Sequence, residues 1–121
     1  MMIYINLDGK ERSLRYDINA VTAVEEVFGG KSLIAMLANP AYFGFSLIRA
    51  LLWGGLKHKE KGLTLDRTGI LLQEFLQKGG TLGDVSGKIN EALVEAGILR
   101  QAQEEPDEDT GEKEQAPAQN L

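Results

Sequence analysis

Phe43-Gly44-Phe45-Ser46-Leu47-Ile48-Arg49-Ala50-Leu51-Leu52-Trp53-Gly54-Gly55-Leu56 is the most apolar stretch of this 121-residue chain, and only Ser46 and Arg49 interrupt it with polar side chains. A segment apolar nearly all round predicts a central helix with neighbours on every side. Gly54 and Gly55 each cost about 1 kcal/mol of helix propensity. They therefore mark either the close approach of a neighbour or the helix terminus. Such a helix needs cover from the rest of the chain, and the flanking sequence supplies it.

Upstream, Met2-Ile3-Tyr4-Ile5-Asn6-Leu7 is β-branched and aromatic, and Glu11-Arg12-Ser13-Leu14-Arg15-Tyr16 alternates polar with apolar at its far end. Asp8-Gly9 between them provides the positive φ of a type I′ turn, so the two runs read as a β-hairpin. A lone hairpin is marginal in water and must lie on helices. Asp17 caps the next helix, with Tyr16 and Val21 placed as a hydrophobic staple. Its apolar face is Val21, Val24, Val27 and Phe28, with Thr22, Glu25 and Glu26 facing away. Gly29-Gly30 ends it, and a short helix from Ser32 to Leu37 stops before Asn39-Pro40.

Downstream of the central helix comes a polar loop, Lys57 to Gly62, and then a helix capped by Thr64 that runs to Lys78 before Gly79-Gly80. Thr81 with Asp84 is a capping-box signal for a last helix, whose face is Leu82, Val85, Ile89, Leu93 and Ala96. Residues 101–121 contain one large apolar residue, Leu121. Their composition predicts disorder and a tail dispensable for folding. The reading is thus an α+β fold, mostly α. An N-terminal two-stranded hairpin packs on four or five helices in one domain over residues 1–100, followed by a disordered acidic tail over 101–121.

Apolar residues make up 43% of the chain and charged residues 26%, the balance of an ordinary globular domain. The formal charge of -5 is uneven, because residues 1–100 carry +1 and residues 101–121 carry -6. There is no cysteine, which excludes disulfides, thiolate metal sites and thiol nucleophiles and fits a reducing compartment. The N-terminus has no signal-peptide pattern and no run of about 18 apolar residues offers a membrane span. A soluble, unexported, cytoplasmic protein is expected.

Candidate chemistry is sparse. Phe28-Gly29-Gly30-Lys31-Ser32 ends like a phosphate-binding loop, but the pattern requires glycine where Glu25 stands and a strand where a helix is predicted. It reads as a helix end followed by a helix start. His58 is the only histidine, so no imidazole pair exists for a metal. It is expected to be solvated, among Lys57, Lys59 and Lys61. Those three lysines lack interleaved aromatics, which makes a solvated loop the better reading than a nucleic-acid contact. A further option is that the acidic tail folds back on them; otherwise the tail is a solubilising extension or an interaction segment. Glu25 and Glu26 are adjacent on a helix and point apart, so they form no carboxylate pair. Trp53, with Arg49 one turn before it, reads as core packing with a cation–π contact or, if exposed, as a binding hot spot. No catalytic residue, cofactor or metal ligand emerges.

Taken in order, Ile3-Tyr4-Ile5-Asn6-Leu7-Asp8-Gly9-Lys10, Leu14-Arg15-Tyr16-Asp17-Ile18-Asn19-Ala20, Glu25-Glu26-Val27-Phe28-Gly29-Gly30-Lys31-Ser32-Leu33 and Leu51-Leu52-Trp53-Gly54-Gly55-Leu56-Lys57-His58 resemble tail assembly chaperones of long-tailed bacteriophages and related gene transfer agents. The resemblance spans residues 3–95. It departs from the family at Lys59-Glu60-Lys61-Gly62, where an acidic turn is expected. The resemblance implies a non-enzymatic protein of the bacterial host cytoplasm that coats the tape-measure protein, recruits tail-tube subunits and is absent from the finished virion. Many such proteins are made in two lengths by ribosomal frameshifting.

The resemblance brings no active-site residues, so contact candidates are chosen on physical grounds. They are Trp53, Phe43 and Phe45 of the central helix, and Tyr4 and Tyr16 on the hairpin edges, because aromatics dominate interface energetics and hairpin edges accept strands. Homo-oligomers are expected, since one hairpin offers little cover for so much apolar helix surface. No nucleic acid or membrane partner is expected. The competing reading is a small acidic-tailed regulator such as an antitoxin; a structural tail or connector protein and an enzyme follow behind.

Overall fold

The two residues Asp8 and Gly9 turn the chain with φ of 53° and 71°, the doubly positive geometry that aligns a tight turn with the twist of its strands. They join β1 (Ile3–Leu7) to β2 (Lys10–Leu14) in an antiparallel pair with Ile3 opposite Leu14 and Leu7 opposite Lys10. The structure, a computed structural model, describes residues 1–100. The expected disordered tail, 101–121, lies outside the described residues. Along β1 every second side chain is buried, so Ile3, Ile5 and Leu7 form one inward face.

After the hairpin come α1 (Ile18–Val27), α2 (Leu33–Ala38), a 3-10 turn (Pro40–Tyr42), α3 (Phe45–Leu56), α4 (Leu65–Gln77) and α5 (Leu82–Glu95). The fold is α+β and mostly helical, as the sequence predicts. Its helix starts are those the capping residues announce. Asp17, Ser32 and Thr64 each accept an amide of the first turn, and Thr81 and Asp84 form the reciprocal capping box.

α3 is the hub, packed against α1, α4, α5 and β2, and Leu47, Ala50, Leu51, Leu52 and Leu56 are almost wholly inaccessible. The hairpin rests on α3, α4 and α5. Three sequence expectations shift. The central helix begins at Phe45, and Phe43 closes the preceding 3-10 turn. On α1 the buried positions are Ala20 and Val24, while Val27 is exposed and Glu25 turns inward to accept the Leu33 amide at 2.8 Å. On α5 the buried partner of Leu93 is Ala92, because the helix ends at Glu95 and leaves Ala96 outside.

Candidate protein-binding face

The two ends of α3 are built differently, and the C-terminal end is closed. A Cβ on Gly54 would stand 2.6 Å from Val24 Cγ2, and one on Gly55 would stand 2.8 Å from Leu14 Cδ2 and 2.9 Å from the Tyr16 ring. Close approach, and not helix termination, is therefore the reason for both glycines. Tyr16, expected on an exposed hairpin edge as a partner contact, is 4% exposed. It follows β2, shares the inward direction of Leu14, and donates its hydroxyl to the Leu51 carbonyl. Burial pushes that hydroxyl's pKa well above the ordinary tyrosine range.

The loop after α3 is tied to the hairpin by polar contacts that the sequence did not announce. His58, expected to be solvated, is half-buried with Nε2 at 3.1 Å from both the carbonyl oxygen and Oγ of Ser13. A carbonyl only accepts, so Nε2 carries the proton. Arg12 pairs with Glu60, both side chains being largely buried, and also donates from Nε to the Leu7 carbonyl at 3.3 Å. Glu60 thereby holds the loop against β2.

Trp53 is half-buried, and its Nε1–H donates to the Leu63 carbonyl at 2.9 Å, which pins the far side of the same loop. The cation over its ring is Lys57 at 5.1 Å, one turn after it, and not Arg49. Arg49 lies across Gly69 of α4 and faces Asp66 at 3.9 Å. Trp53 is thus half-buried and tied to the loop backbone.

The N-terminal end of α3 is open. Phe43 is 60% exposed and Phe45 is 65% exposed, and Tyr42, next to Phe43 in the chain, and Ile34 of α2 are exposed as well. Phe43 stands at an apolar groove of 310 Å³ between α3 and α5, lined by Leu37, Leu47, Ile48, Leu51, Ile89 and Leu93. Phe45 stands on the other side of α3, over a depression of 330 Å³ bordered by Arg49, Leu72, Gln73 and Leu76. Two exposed rings flanked by two depressions are what a partner's apolar side chains need to anchor on.

Comparison with protein-family models, with curated proteins and with solved structures finds no match to this chain. What the face can do follows from its chemistry alone. Tyr4, the remaining contact candidate, is 43% exposed on the outward side of β1. It lines a third depression with Phe75, Lys88 and Glu91, separated from the Phe43 groove by α5, whose Gly87 borders both. The structure therefore brings Phe43 and Phe45 to one end of the molecule, leaves Tyr4 apart, and removes Tyr16 into the core. Sequence reasoning missed Ile34 and Tyr42, which sit on elements too short to show a periodic face.

Among the described residues no group of acidic and histidine side chains is placed to hold a metal ion, and no helix is long and apolar enough to cross a membrane.

Proposed function

We propose that this protein is a non-enzymatic tail assembly chaperone of a bacteriophage or prophage, acting by binding the tape-measure protein and helping to recruit tail-tube subunits. The observation that carries the reading is the open end of α3, where Phe43 projects beside an apolar groove and Phe45 over a second depression. The ordered sequence resemblance over residues 3–95 supplies the class of partner. A tape-measure protein is a long helical chain, and the apolar side chains along it are the kind that such a groove covers. In mechanism, folded bodies seat successive apolar stripes of the partner, and self-association along it extends the coat. The net -6 of residues 101–121 keeps the coated complex soluble by charge repulsion. The protein acts in the host cytoplasm and leaves before the virion is complete.

Co-expression with a tape-measure protein of the same phage or prophage tests this. A soluble complex that survives pull-down, with tape-measure protein that aggregates when expressed alone, is the expected result. A folded body with no complex and no gain in tape-measure solubility contradicts it and favours the acidic-tailed regulator.

A further inference from the structure

We propose that the basic pocket at the closed end of α3 is an anion site whose occupant is the acidic segment 104–114 of the same chain. The pocket, 360 Å³ in volume, is bordered by Arg15 after β2, Asp17 and Ala20 at the start of α1, and Lys57, His58 and Lys61 after α3. The hairpin, α1 and the loop thus bring Arg15 together with Lys57 and Lys61, which lie more than forty residues after it in the sequence. Lys59, outside the lining, lies between Lys57 and Lys61 in the loop. Among the described residues Arg12, Arg49 and Arg67 each face a carboxylate, whereas Arg15, Lys57, Lys59 and Lys61 face none. The one carboxylate in the pocket, Asp17, is already engaged by the Ala20 amide at 2.8 Å. The other nearby acid, Glu60, is held by Arg12.

The complementary charge is in the chain itself. Glu104, Glu105, Asp107, Glu108, Asp109, Glu112 and Glu114 face only Lys113 in their own segment. Reach is ample. A 100-residue body has a radius of gyration of about 13 Å, while the fourteen residues from 101 to 114 span up to roughly 45 Å at about 3.3 Å per residue. Tethering places the acids near the pocket at an effective concentration of order millimolar, so weak, salt-screened attraction suffices for occupancy. The inference does not depend on what binds the open end of α3.

The chain has no cysteine, so Thr110→Cys offers a unique position for a nitroxide label in the full-length protein. At low salt the label should selectively reduce the amide intensities of residues 15–20 and 57–61. In about 1 M salt, where the Debye length is about 3 Å, those intensities should return. Arg15→Glu with Lys61→Glu should restore them at low salt, and unmoved amide positions elsewhere would show an intact fold. Three outcomes overturn the proposal. They are no selective loss in the unmutated chain at low salt, a loss centred on the Phe43 groove, and a loss seen only on unlabelled copies mixed with labelled ones.

Discussion

The two ends of α3 are made of equally apolar sequence, yet one is sealed and the other is not. At the C-terminal end two glycines admit Val24, Leu14 and Tyr16. Hydrogen bonds and an ion pair from Tyr16, His58, Trp53 and Arg12 then lock the hairpin and loop in place. At the N-terminal end the largest side chains, Phe43 and Phe45, have nothing laid over them. The difference teaches that apolar patterning records a need for cover, while the cover itself depends on what the rest of the chain can bring there. Small residues at one end make room for the chain's own elements. Large residues at the other extend past them and leave a surface for something else.

If the closed end is structural, its variants should act on stability in a definite order. Tyr16→Ala removes a buried ring and its hydroxyl and should cost about 3–5 kcal/mol, as aromatic truncations in cores do, enough to abolish a cooperative thermal transition in a domain of this size. Retention of most of the melting temperature would show that the hairpin does not depend on this contact.

Gly54→Ala sharpens the comparison, because helix propensity and packing predict opposite signs. Propensity alone gives a gain of about 1 kcal/mol. The added Cβ instead meets Val24 Cγ2 at 2.6 Å, and a valine in a helix has one strongly preferred rotamer and cannot swing away. A net loss of about 1–3 kcal/mol in denaturant unfolding is expected, the usual cost of overpacking. A stabilised variant would remove close approach as the reason for the glycine.

Glu60→Gln should have a smaller effect, of roughly 1–2 kcal/mol, by leaving Arg12 largely buried without its charge partner. Amide exchange in residues 57–63 should accelerate more than in the core helices. Uniform protection across the chain would mean that the ion pair does not hold the loop.

Most of the fold was legible because it rests on local chemistry. Asp8-Gly9 announces its turn, and Asp17, Ser32, Thr64 and Thr81 announce the starts of four helices. The apolar run at 47–56 announces the hub. The candidate site was legible only in part, because exposure is settled by distant neighbours. Phe43, Phe45 and Tyr16 are all aromatics on apolar segments, and nothing within a few residues of Tyr16 signals that Gly55 waits to receive it. His58 and Glu60 read as loop residues since their partners, Ser13 and Arg12, lie more than forty positions away. The same separation hid the pocket that joins Arg15 to Lys57 and Lys61.

The open end carries the functional claim, and the double variant Phe43→Ser with Phe45→Ser tests it most directly when stability and partner binding are measured on one preparation. Surface positions change stability by only about 0.5 kcal/mol, so the melting temperature should hold. Retention of the tape-measure protein in pull-down should fall sharply, with each ring contributing roughly 1–3 kcal/mol to binding. A lowered melting temperature with unchanged retention would contradict the account, since the two rings would then be covering the core and the partner would be bound elsewhere.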